Sequence, residues 1–137
     1  MWKDSLGVEC EIVTFESKVY WDEHSAGNFD IAFDGWTGDY LDPNSVLNIF
    51  NKGRMEKECR WQSDAALKYD ELLNKAAASA DNNERMEIFT ECEQILMDEM
   101  PVLPLYYRNT MVLSKPHVKG FTVDFGAHPL FRCVSVE

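Results

Sequence analysis

Residues 29–44, FDIAFDGWTGDYLDPN, change their periodicity in mid-course, and that change restricts the fold more than any other feature of the chain. Phe29, Ile31 and Phe33 alternate with Asp30, Ala32 and Asp34, the two-residue period of a strand with one apolar face. The alternation stops at Gly35 and Gly38, which bracket Trp36, and the chain turns at Asp42-Pro43-Asn44. Small residues around a large aromatic leave backbone accessible and supply a flat surface. Asp39 then places a carboxylate at the mouth of the strand. This is the chemistry of a ligand-binding edge, although a buried Trp at an ordinary strand-to-loop junction uses the same residues.

The segments on either side complete an α/β pattern. Val8 to Phe15 reads as a first strand and Ser17 to His24 as a short helix closed by Ala26-Gly27-Asn28, so strand, helix and strand form a β-α-β unit with parallel pairing. Ligands gather at the carboxyl ends of such strands, where Gly35 to Asp39 fall. Asn44 to Phe50 reads as a short helix, and the charged residues 51–62 as an exposed loop.

Ser63 or Asp64 caps a helix with the stripe Tyr69, Leu72, Leu73, Ala76 and Ala77. Asp81-Asn82-Asn83-Glu84 opens a second, close to a capping box with Asp in the first position. Its stripe is Ile88 or Phe89, Cys92, Ile95, Leu96 and Met100, and Pro101 ends it. The two make an antiparallel hairpin whose stripes are expected to face the sheet. Further strands are expected at Val102–Tyr107, Met111–Leu113 and Phe131–Val136, with a loop over 115–121.

A chain of 137 residues can bury one sizeable core. Its 13 Lys and Arg against 24 Asp and Glu, a net charge of −11, argue against nucleic acid and anionic membrane surfaces as partners. No apolar run approaches the ~20 residues of a membrane span. Trp2 and Leu6 before Gly7 read as the last turn of a helix, so the chain is expected to be a piece of a longer protein, and its lack of a signal peptide says nothing about that parent.

Cys10, Cys59, Cys92 and Cys133 are too scattered for a zinc site. Cys10 and Cys92 fall at apolar positions expected in the core, and one or two disulfides are open if the parent is secreted. His24, His117 and His128 do not cluster. Asp34, Asp39 and Asp42 are candidate paired acids or calcium ligands. However, Asp30-x-Ala32-x-Asp34-Gly35 lacks the oxygen ligand and the closing Glu of a calcium-binding loop.

Taken together, Gly35-Trp36-Thr37-Gly38-Asp39-Tyr40-Leu41-Asp42-Pro43, Tyr69-Asp70-Glu71-Leu72-Leu73, the run from Arg85 through Glu93 to Pro101-Val102-Leu103-Pro104-Leu105-Tyr106-Tyr107, and Lys119-Gly120-Phe121 resemble the C-terminal lobe of the extracytoplasmic oligopeptide- and dipeptide-binding proteins of ABC importers. The resemblance covers nearly the whole chain and is loosest over the final fifteen residues. It implies an α/β fold, a mixed sheet with packed helices, as one lobe of a two-lobed periplasmic-binding-protein (type II) fold. Residues 1–137 would be the C-terminal lobe, with the upstream lobe absent.

The resemblance further implies a receptor rather than an enzyme, with no cofactor. Its ligand would be a short peptide and its partners the permease subunits of a transporter, reached through an extracytoplasmic parent. Asp39 would meet the peptide's α-amino group, backbone at Gly35 and Thr37 would extend the peptide as an added strand, and Trp36 and Tyr40 would line the ligand. Relatives that carry oligosaccharides or nickel leave another solute open, and a hydrolase fragment using Asp34, Asp39 or Asp42 is the alternative from another class.

Overall fold

The computed structural model describes all residues, 1–137. Two long helices organise it: α5 (Asp64–Ala78) and α6 (Asn82–Glu99), preceded by α1 (Trp2–Leu6), α2 (Ser17–Ala26), α3 (Asn44–Leu47), a single 3-10 turn (Asn48–Phe50) and α4 (Lys52–Glu58). Four two-residue strands follow. In one antiparallel ribbon, β1 (Val118–Lys119) pairs with β4 (Ser135–Val136); in the other, β2 (Thr122–Val123) pairs with β3 (Pro129–Leu130).

The caps of the long helices are those the sequence predicts. Ser63 accepts from the Ala66 amide at 3.2 Å. Asp81 accepts from the amides of Asn83 and Glu84, and Glu84 reaches back through the hydroxyl of Ser79, which in turn accepts from the Asp81 amide. A capping box with Asp in first place is thus closed through one intermediate hydroxyl. Lys68 pairs with Glu91 and Lys75 with Glu84, ascending along α5 and descending along α6, so the two helices are antiparallel.

Their stripes meet each other and the short helices rather than a sheet. The buried apolar cluster is Leu47, Met55, Trp61, Ala66, Tyr69, Leu73, Ala76, Ile88, Phe89, Cys92 and Leu96. Leu73 is buried where Leu72 is only half-buried, and Met100, expected in the stripe, is 54% exposed. Met100 takes a left-handed conformation (φ 49°) and ends α6 just ahead of Pro101.

The expected loop at 51–62 is largely α4. Asn51 caps it by accepting from the Arg54 amide, Arg54 pairs with Glu58 one turn on, Asp70 accepts from the Lys52 amide at 2.7 Å, and Met55 enters the core. Gly53 and the run of charges mask a helix that one buried Met and a distant carboxylate hold in place. Likewise β1 occupies part of the expected loop at 115–121, and only Ser135–Val136 of the expected last strand forms a ladder.

The expected β-α-β unit does not close. Residues 8–15, 29–34, 102–107 and 111–113 lie outside every ladder. Their apolar side chains, Ile12, Phe15, Ile31, Phe33 and Leu105 among them, are mostly exposed. Cys10 is exposed as well, and all four cysteines are free. The alternation is real, but a strand needs a neighbour to pair with. Two of these segments do run side by side: Phe33 stacks on Tyr106 with ring centroids 6.5 Å apart, and the Tyr20 hydroxyl donates to the Phe33 carbonyl at 2.7 Å.

Helix α2 docks on α4 through Gly27. That residue is left-handed (φ 70°), and a Cβ there would stand 2.6 Å from the Lys57 carbonyl oxygen. His24, one turn earlier, is buried beside the rings of Tyr20, Trp21 and Phe29. Gly27→Ala therefore meets both backbone strain and a main-chain collision, and is expected to cost ~1–3 kcal/mol. Thermal unfolding of the variant checks this; an unchanged midpoint would show that α2 does not rest on α4.

Candidate ligand-binding face

The loop from Gly35 to Asn44 is an open arc tied down at a few points. The Trp36 indole Nε1–H donates to the Ser45 carbonyl at 2.8 Å, while its ring stays 47% exposed. The buried Ser45 hydroxyl accepts from the Tyr40 amide at 3.4 Å, and the Tyr40 hydroxyl accepts from the Asn44 side-chain amide at 2.9 Å. Tyr69 Oη, buried in the helical core, donates to the Leu47 carbonyl at 2.7 Å and fixes the short helix from which Ser45 projects. Core and loop are thus joined by two consecutive hydrogen-bonded links.

A third tie crosses from α6. Arg85 Nη2 lies 2.7 Å from Asp42 Oδ2, with both side chains about a fifth exposed, and the guanidinium sits 5.3 Å from the centroid of Phe89. Asp42 Oδ1 accepts from the Asn44 amide and shapes the Asp-Pro-Asn turn. Burial pushes the Asp42 carboxyl up. The hydrogen bonds from Arg85 and from the Asn44 amide, with the guanidinium's charge, outweigh it and hold the carboxyl below the usual range.

Because the folded value lies below the unfolded one, the pair contributes stability above about pH 4 that is lost as pH falls through the lowered value. Arg85→Ala should cost ~1–3 kcal/mol at neutral pH. The gap to the wild type should narrow once the pH drops well below the ordinary carboxylate range. Chemical denaturation at both pH values measures it, and a gap independent of pH would remove Asp42 as the partner that matters.

Of the residues singled out in the sequence, Gly35, Trp36, Thr37, Asp39 and Tyr40 all lie exposed on this arc. The Gly35 amide is already taken, donating to Asp34 Oδ1 at 2.6 Å. Asp42 is bound to Arg85, which leaves Asp39 as the carboxylate of the three that stands outside these ties. Beside the arc, Gly38, Tyr40, Leu41, Asp42, Pro43, Val46 and Phe125 line an open groove of about 390 Å³. Ser45, Arg85 and Phe125 were not legible as site residues. Arg85 is 43 positions from Asp42 and Phe125 farther still, and no local spacing links them.

No family-wide sequence profile matches the chain. It is 33% identical over 120 residues to the probable deoxycholate-binding periplasmic protein YgiS of Escherichia coli, covering 88% of this chain and 22% of that protein. It is 32% identical over 124 residues to the periplasmic murein peptide-binding protein MppA of the same organism, covering 90% and 22%. The oligopeptide-binding protein OppA of Bacillus subtilis is 31% identical over 133 residues, covering 96% and 24%. The unliganded open form of MppA superposes with a TM-score of 0.64 at 31% identity, over 73% of this chain and 19% of that one.

The chain thus spans less than a quarter of the length of these curated relatives. The likeness gives the α/β architecture with packed helices as one lobe of that two-lobed fold, and the relatives are binding proteins by name. In sequence and fold this chain is similar to part of the periplasmic binding proteins named for oligopeptides, murein peptide and deoxycholate.

Proposed function

We propose that the chain is the C-terminal lobe of an extracytoplasmic receptor that captures short peptides and delivers them to the permease of an ABC importer. The observation that carries the reading is the arc itself. Gly35, Trp36, Thr37 and Asp39 are exposed on it, while Ser45, Arg85 and Tyr69 hold it from behind. A backbone edge free of ladder partners can add a peptide as a further strand, and a lone carboxylate can receive an amine. Trp36 and Tyr40, half exposed and each fixed at its polar end, supply walls tolerant of varied side chains. The relatives named for oligopeptides and murein peptide support the same class of ligand. No helix is long and apolar enough to cross a membrane.

The role is read as binding because the relatives are binding proteins by name, and Asp34 and Asp42 are each engaged in bonds within the chain. Native mass spectrometry of the purified full-length protein tests the proposal. Short peptides of intact length are expected to leave with it. A bile acid, an oligosaccharide or a nickel complex as sole occupant would replace the peptide, and cleaved peptide in the incubation mixture would restore the hydrolase alternative.

A further inference from the structure

In residues 102–113, VLPLYYRNTMVL, no backbone amide or carbonyl is bonded to another backbone group. Tyr106 stacks on Phe33 and the Arg108 guanidinium lies against Gly35, so the stretch meets the segment at 29–35. Leu103, Leu105 and Tyr107 alternate with Pro104 and Tyr106, and they are 61%, 59% and 98% exposed. Pro104 lacks a donor, but alternate residues of a strand turn their amides to opposite edges. Positions 103, 105 and 107 therefore keep one edge complete. The stretch contains no acid, in a chain of net charge −11. An unpaired, acid-free edge with an apolar stripe is a template for a further strand.

The surface area shows how much partner such an edge can take. A folded monomer of 15.8 kDa exposes about 7,300 Å², whereas this chain exposes 10868 Å². The surplus of about 3,500 Å² is several times the ~800 Å² that each partner gives to a standard interface.

We propose that residues 103–107 form a pairing edge for a second copy of this chain, making the 137-residue protein a two-fold dimer joined by antiparallel strands centred on Leu105. The inference is independent of the peptide-receptor reading. A two-fold contact is made by the same patch on both copies, so an edge that joins them must complement itself. The register centred on Leu105 satisfies this with all three outward side chains. Leu105 meets Leu105 of the second copy, and Leu103 meets its Tyr107, a pairing of the kind that stabilises adjacent strands. Elsewhere on this acidic molecule two copies would bring carboxylates together.

Analytical ultracentrifugation of the 137-residue chain at ~100 μM tests this, and twice the 15.8 kDa mass is expected. Leu105→Lys and Leu105→Glu should each weaken self-association at least tenfold, because each sets a charge opposite its own copy on the axis. An equimolar mixture of the two variants should recover the dimer, since Lys then faces Glu. Tyr107→Lys, at a nearly bare position, should weaken the dimer with the helical circular dichroism unchanged. A wild type that stays monomeric overturns the proposal. So do Leu105 variants that associate as well as the wild type, or a Lys–Glu mixture no more dimeric than either variant alone.

Discussion

Tyr69→Ala is expected to unfold the chain or bring it to the edge of unfolding. Tyr69 is fully buried, lies against Trp61 with ring centroids 5.5 Å apart, and donates its hydroxyl to Leu47 across the core. Removing a buried aromatic ring costs ~3–5 kcal/mol, a large share of the ~5–15 kcal/mol that holds most domains. Tyr69→Phe separates packing from hydrogen bonding. It keeps the ring but strands the Leu47 carbonyl, for ~1–3 kcal/mol. Burial pushes the phenol far above its ordinary pKa, so the hydroxyl remains a donor across the accessible pH range. Denaturant melts of both variants order the effects. A Tyr69→Ala midpoint close to that of Tyr69→Phe would mean that the ring contributes little and the helical core lies elsewhere.

On the peptide-receptor function proposed above, Asp39→Asn in the full-length protein is the largest effect expected on binding. A peptide ammonium enclosed by two lobes needs an ionised partner, because an unpaired buried charge is costly. A charge-assisted hydrogen bond is worth ~1.5–3 kcal/mol, so the variant should bind free-amino peptides about ten- to a hundredfold more weakly. The wild type should reject N-acetylated peptides, and the Asn variant should discriminate far less. The four pairings form a double-mutant cycle that isolates the carboxylate–ammonium contribution from general damage to the site. Equal losses for free and acetylated peptides would reduce Asp39 to a loop-shaping residue. Deoxycholate, for which one relative is named, carries no ammonium, and its binding should be insensitive to the substitution.

The parts of this fold that follow from local rules were legible in the sequence. Helices α5 and α6, with their caps at Ser63 and Asp81 and their core residues Tyr69, Leu73, Cys92 and Leu96, come from a 3.6-residue period and side chains two or three positions away. The arc from Gly35 to Tyr40 was legible for a similar reason, since glycine, proline and aspartate punctuate the chain at fixed offsets. What stayed hidden depends on distant partners. Helix α4 needs Asp70 to receive its first amide, and the arc needs Arg85 and Ser45. The segments at 8–15 and 29–34 have the alternation of strands but no ladder to enter, so pattern alone overstated the sheet.

The way the arc is fastened bears on how such a receptor drifts over generations. Its anchors are a carbonyl oxygen on Ser45, a hydroxyl behind it and the Asp42–Arg85 bridge, while Gly35, Thr37 and Asp39 face outward. Selection can therefore rewrite the outward positions without disturbing the helices that keep the chain folded, so a new cargo does not demand a new scaffold. Relatives named for murein peptide and for deoxycholate, each about a third identical to this chain, have the spread of ligands that such a separation permits.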